Sequence, residues 1–275
     1  MNSLIKKHED GTIELTVTLP WALIEKTKNT VLENHVKVAE LPGFRKGMAP
    51  RDIVEKNLDK DHIREDILRT LLPQSYADAI KEQKIMPVIN PKIRVESIEE
   101  GKEWTFTAIT AEAPSIKLGD YKEAVKKITA KAKIILPGKE PTTVTFEEIS
   151  AALLQTATIQ IPGVIIDQEV ERLLAQTLDE VKRLGLTLDQ YLASTGRNID
   201  SLKQEYALKA ENDIKIEFLL QKIAESEGIK VEDKEVEEAI AQGKTEAEKQ
   251  NLQTNKILLK SIIRQQKTLD FLRNL

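Results

Sequence analysis

Apolar and polar residues alternate over residues 12–19, with Ile13, Leu15, Val17 and Leu19 set between Thr12, Glu14, Thr16 and Thr18. A period of two predicts a half-buried strand. Pro20 then opens a helix, where a missing N–H costs nothing. Trp21, Ile24, Val31, Leu32 and Val38 give this helix an apolar stripe, and it is expected to stop near Glu40 because Pro42 and Gly43 follow. Pro50 starts a further helix from Arg51 to Asn57. A longer one is expected from Lys60 to Gln83, carried by Ile63, Ile67, Leu71, Tyr76, Ala79 and Ile80. Pro73 falls inside it and is expected to kink or split it. Residues 91–112 return to strand character: Ile93, Val95 and Ile98, a turn at Gly101 and Lys102, then Trp104, Phe106, Ala108 and Ile109. That pattern reads as a hairpin.

From Thr145 onward the spacing is helical. Thr145 with Glu148 and Thr187 with Gln190 fit capping boxes. Ile166, Val170, Leu173, Leu174, Leu178, Val181 and Leu184 mark one helix ended by Gly185. Leu202, Tyr206, Ala210, Ile214, Leu219, Ile223 and Ala224 mark a long one closed by Gly228. Val236 and Ile240 mark a short helix, and Leu258, Ile262, Leu269 and Leu272 the last. Residues 113–144 are punctuated by Pro114, Gly119, Pro137, Gly138 and Pro141 and are rich in lysine, so they read as a linker with a short element near 120–136. The expected class is α+β. A small α+β N-terminal domain with a helical insert and an exposed loop occupies 1–115, a linker 116–144, and an extended all-α domain with arm-like helices 145–275. Narrow apolar stripes on long charged helices favour arms over a thick globule.

Composition removes several chemistries. Apolar residues make up 40% of the 275, enough for a core, and the net charge of -4 excludes a basic coat over the whole molecule but not a local patch. Cysteine is absent, so there are no disulfides, thiolate metal sites or thiol nucleophiles. His8, His35 and His62 stand apart from one another, without ligand spacing. No Walker loop, dinucleotide fingerprint or nucleophile elbow is present. Catalytic residues, metal ligands and cofactors are therefore expected to be none. Aromatics are 4% and scattered, which disfavours a deep aromatic pocket. The N-terminus has no secretory h-region, and no run of about 18 apolar residues exists to span a bilayer. The cytoplasm is the expected compartment.

One segment does suggest chemistry. Residues 42–50 read Pro-Gly-Phe-Arg-Lys-Gly-Met-Ala-Pro. Gly43 and Gly47 permit positive φ on either side of Phe44, Arg45 and Lys46. Two readings fit. The turn could be an ordinary one with Phe44 folded back on its own domain. Alternatively, it could present one stacking ring and two cations outward, the guanidinium suited to bidentate anions and the ammonium acting as a point charge.

Gly43-Phe44-Arg45-Lys46-Gly47-Met48-Ala49-Pro50 resembles the G-F-R-x-G-x-x-P signature of trigger factor, the bacterial ribosome-associated chaperone family. Pro42, Ile53 and Val54, the stretch Pro87 to Pro91, and Ala113-Pro114 through Leu118-Gly119-Asp120-Tyr121 resemble that family too. More weakly, so do Ile161-Pro162 leading into Gln168 to Leu174, Tyr191-Leu192 with Thr195-Gly196, and Glu227-Gly228-Ile229. The likeness covers about 1–121 and 145–275. It implies an ATP-independent chaperone whose loop docks at the ribosomal tunnel exit, on a ribosomal protein and rRNA, through Phe44, Arg45 and Lys46 shaped by Gly43 and Gly47. It implies helical arms that hold unfolded or nascent polypeptides, and allows a weak homodimer. One departure stands out. The family usually carries an FK506-binding-type prolyl isomerase between its two parts, whereas here only residues 121–144 fill that place, with Tyr121 their single aromatic. A form without the isomerase, and without enzymatic activity, is expected. The alternatives are a helical scaffold for one folded partner, or a residual prolyl isomerase.

Overall fold

A computed structural model describes residues 1–132 and 144–275. The chain divides into two units, Met1–Ala113 with Pro162–Ile165, and Pro114–Ile161 with Ile166–Leu275.

The first unit is an antiparallel sheet covered by helices. Its strands are β1 (Asn2–Lys7), β2 (Thr12–Leu19), β3 (Lys92–Ser97) and β4 (Trp104–Ala111), in the order β1-β2-β4-β3. The alternation in β2 sends Ile13, Leu15, Val17 and Leu19 into the core, none more than 1% exposed, while the threonines lie half-buried on the other face. In register, Val17 sits opposite Phe106 and Leu15 opposite Ala108, so one sheet face is continuously apolar. The helices α1 (Trp21–Val38), α2 (Arg51–Asn57) and α3 (Lys60–Gln83) follow, and Ile24, Leu32, Ile63, Ile67 and Leu71 pack into the same core. The alternation and hairpin readings hold. β1 was not expected: only Leu4 and Ile5 are apolar there, and as an edge strand it needs no more.

Pro73 does not split α3. The helix runs unbroken for 24 residues, with Pro73 on its exposed side and Leu71, Ser75 and Ala79 buried around it. Packing over the sheet outweighs the lost backbone hydrogen bond.

The second unit contains β5 (Ile116–Lys117), α4 (Tyr121–Ala132), α5 (Phe146–Thr156), β6 (Thr158–Ile159), α6 (Gly163–Arg183, from Ile166), α7 (Leu188–Thr195), α8 (Ile199–Ser226), α9 (Asp233–Ala241), α10 (Glu246–Thr254) and α11 (Lys256–Arg273). Both expected capping boxes form, Thr145 with Glu148 and Thr187 with Gln190. Its core joins Tyr121 and Val125 of α4, Val144, Ile149 and Leu153 of α5 and its approach, Leu219 and Ile223 of α8, and Leu272 of α11.

This alters the picture of residues 116–144. Instead of only spanning a gap, the described part of that stretch contributes a strand and a helix to the core of the second unit. β5 pairs with β6 through Ile116 and Ile159, and Tyr121, Val125 and Thr129 recur every fourth residue on the buried face of α4. The Tyr121 hydroxyl donates to Glu227 Oε1 at 2.7 Å, and Lys122 Nζ lies 2.7 Å from the same oxygen. The rest, residues 133–143, lies outside the described residues.

Candidate functional site

The loop after α1 is shaped by its backbone. Ala39 N–H closes the helix onto the His35 and Val36 carbonyls. Two turns follow: Phe44 N–H donates to the Leu41 carbonyl at 3.0 Å, and Met48 N–H to that of Arg45 at 2.9 Å. Gly43 and Gly47 adopt φ of 87° and 75°, in the left-handed region where a Cβ is costly. Gly47 is doubly constrained. Its N–H donates to the Ala39 carbonyl at 3.1 Å, and a Cβ there would stand 2.9 Å from the Lys37 carbonyl oxygen. Ala49 and Val54 are buried beyond the turns and anchor the loop to the first unit.

Phe44, Arg45 and Lys46 are thereby presented together. The Phe44 side chain is 39% exposed, so the ring is not sunk in the core. Arg45 is exposed and, among the described residues, has no ion-pair partner. Lys46 Nζ lies 3.0 Å from Glu40 Oε1, with both side chains largely in water. A pair that exposed contributes at most about 1 kcal/mol and exchanges readily for another anion. Composition did not single out the apolar company of this loop: Val38, Met48 and Ile53 are also exposed. Met48 lies inside the motif itself and could have been read as part of the surface.

The second unit carries a groove of about 560 Å³ between α8, the segment after it, and α11. Leu220, Ala224, Val231 and Thr268 are buried along it, while Ile257 at the start of α11 is 90% exposed. Arg264 Nε donates to the Ile229 carbonyl at 3.2 Å, and Lys267 Nζ to the Lys230 carbonyl and to Glu235 Oε1, both at 2.8 Å. These bonds fix the segment after Gly228 onto α11. The Lys267 ammonium, followed by the Glu232 backbone N–H, holds the Glu235 carboxyl below the usual carboxylate range. Spacing alone expected Leu258 and Ile262 to pack as Leu269 and Leu272 do. Instead they are 60% and 52% exposed, and only the C-terminal half of α11 is covered. Leu178, Leu184 and Leu208 add further exposed apolar side chains in this unit.

Among the described residues no three His, Asp or Glu side chains gather as a metal-holding group, and no helix is long and apolar enough to cross a membrane.

The family model described as bacterial trigger factor protein matches residues 1–156, and that for the trigger factor C-terminus matches 121–274. The two overlap, leaving no unmatched stretch between them. Proteins named trigger factor from Staphylococcus epidermidis and Staphylococcus saprophyticus are 38% and 40% identical over 122 residues. These matches cover 44% of this chain and only 28% of the relatives' own length. A solved structure described as "Promiscuous Substrate Recognition in Folding and Assembly Activities of the Trigger Factor Chaperone" superposes with a TM-score of 0.64 at 14% identity, covering 100% of this chain and 99% of the other. That likeness is one of fold.

Proposed function

The chain belongs to the trigger factor family, and from that premise we propose that it is an ATP-independent chaperone that docks on the ribosome and shields apolar segments of nascent chains. The observation that carries the reading is the loop of Gly43, Phe44, Arg45, Lys46 and Gly47, which presents a partly exposed ring and two exposed cations on a backbone pinned from both sides. Such a surface suits an anionic assembly that also offers an apolar niche, as a ribosomal protein beside rRNA does.

In this reading residues 1–115 locate the protein, residues 116–144 stand where an isomerase domain would be, and residues 145–275 hold the client. The client surface would be the groove along α11 with the exposed leucines of α6 and α8. Each patch of a few hundred Å² is worth several kcal/mol at about 25 cal/mol per Å², before the cost of ordering the client. Weak, scattered patches favour promiscuity over tight selection. The protein works without a catalytic residue or cofactor, in the compartment where ribosomes are.

Docking is tested by sedimentation with bacterial ribosomes. Binding is expected to weaken as salt rises. Replacing Phe44, Arg45 and Lys46 together by Ala should abolish pelleting while the unfolding midpoint stays put, since all three are exposed. Unchanged pelleting would remove the docking claim. A peptide isomerisation assay is expected to read background, and suppression of aggregation across unrelated clients separates a chaperone from a scaffold for one partner.

A further inference from the structure

One residue beside the 42–50 loop runs against the binding of an anion. Between residues 34 and 51 the permanent cations are Lys37, Arg45, Lys46 and Arg51, and the single acid is Glu40. Glu40 stands just past Ala39, the residue that caps α1. The C-terminal end of a helix is its negative end, which favours cations and disfavours a carboxylate. α1 follows that rule with His35 and Lys37 in its last turn, and Glu40 breaks it. The Glu40 side chain is 70% exposed, so packing does not explain it either. Neither the helix nor the core has a use for this acid.

The backbone shows what it stands beside. The Gly47 N–H donates to the Ala39 carbonyl at 3.1 Å, so the chain leaving the loop returns to the residue before Glu40. The return is close enough that a Cβ on Gly47 would stand 2.9 Å from the Lys37 carbonyl oxygen. Residues 40 and 46 are therefore neighbours by main-chain construction, not through a chance meeting of two long side chains. Lys46 Nζ lies 3.0 Å from Glu40 Oε1, and neither group has another ion-pair partner among the described residues. Arg45, one residue earlier, has no acid of its own among them. The two cations of the loop thus start from different states, one free and one answered.

We propose that Glu40 is a built-in competitor at the docking surface, which holds the Lys46 ammonium in the free chain and must give it up when an anion of the ribosome takes its place. The inference rests on the docking reading and adds to it the residue that sets its strength. An exposed pair of this kind is worth a factor of up to about five in an equilibrium. Glu40 therefore tunes affinity without deciding whether docking occurs.

Sedimentation of the full chain with bacterial ribosomes over a series of salt concentrations tests this, with the parent, Glu40→Gln, Lys46→Ala and the double variant. Glu40→Gln keeps the shape of the side chain and removes its charge. It is expected to bind about two- to fivefold tighter than the parent at low salt, with little change in melting temperature. Its affinity should also fall more steeply as salt rises, because one more cation is free to displace counterions. In the Lys46→Ala background the same change should bring almost no gain. If the parent pellets and Glu40→Gln binds no tighter, the competitor is overturned and docking stands. An equal gain with and without Lys46 also overturns it, since Glu40 would then act only as a charge that the ribosome repels. A parent chain that does not pellet at all removes the docking reading, and this proposal with it.

Discussion

Within the 42–50 loop the two glycines carry different burdens. Gly43 has positive φ but open space where a side chain would go, whereas Gly47 has positive φ and the Lys37 carbonyl oxygen 2.9 Å from the would-be Cβ. Gly43→Ala should therefore cost about 1–2 kcal/mol, the price of the left-handed backbone alone. Gly47→Ala should cost roughly 1 kcal/mol more, because the carbonyl must also move. Urea denaturation of the two variants checks the order, and Gly47→Ala should also weaken ribosome pelleting by displacing Phe44. Both positions were legible from the motif. What the sequence withheld was which glycine also faces a neighbouring carbonyl, a fact created only when α1 folds back beside the loop. Likewise Leu258 and Ile262 keep helical spacing with Leu269 and Leu272, and nothing in that spacing tells which half of α11 finds a partner.

Among the elements, α4 is tied to the end of α8 through Tyr121, Lys122 and Glu227, and this tie makes stability depend on pH at both extremes. The Lys122 ammonium, then the Tyr121 hydroxyl, hold the Glu227 carboxyl below its ordinary 4.5. Its contribution is complete above that value and is lost as the medium grows acid enough to protonate it in the folded state. Burial, then the Glu227 carboxylate, push the Tyr121 hydroxyl up from 10.0 to about 12. Its contribution is complete below pH 10.0 and drains away as pH rises toward about 12. Thermal melts across pH should show Glu227→Gln losing its deficit relative to the parent in acid, and Tyr121→Phe losing its deficit in strong alkali. Pro73→Ala is expected to raise stability by as much as about 3 kcal/mol, since it restores an interior helix donor on an exposed face. β2 could be read from its alternation, α2 from Pro50 at its start, and α3 from the spacing of Ile63, Ile67, Leu71 and Ala79. α10 could not, for it buries no residue at all. α4 was obscured by the prolines, glycines and lysines around it, although Tyr121, Val125 and Thr129 already held a four-residue rhythm.

For the molecule as a whole, the division into a sheet-based unit and a helical unit was visible in the switch from period two to helical spacing. The allocation of residues 114–132 was not, because it depends on which distant surface receives Tyr121. That allocation has a further bearing. Val125 before residues 133–143 and Val144 after them are buried in one and the same core. Both borders of this interval are thus moored independently of whatever polypeptide joins them. Joining moored ends is cheap: doubling the connecting length adds only about 0.6 kcal/mol of closure entropy. Grafting a small autonomously folding module there should leave the melting temperature of the host nearly unchanged, as scanning calorimetry can measure. A lineage could therefore gain or shed an entire domain at this interval without redesigning either neighbour.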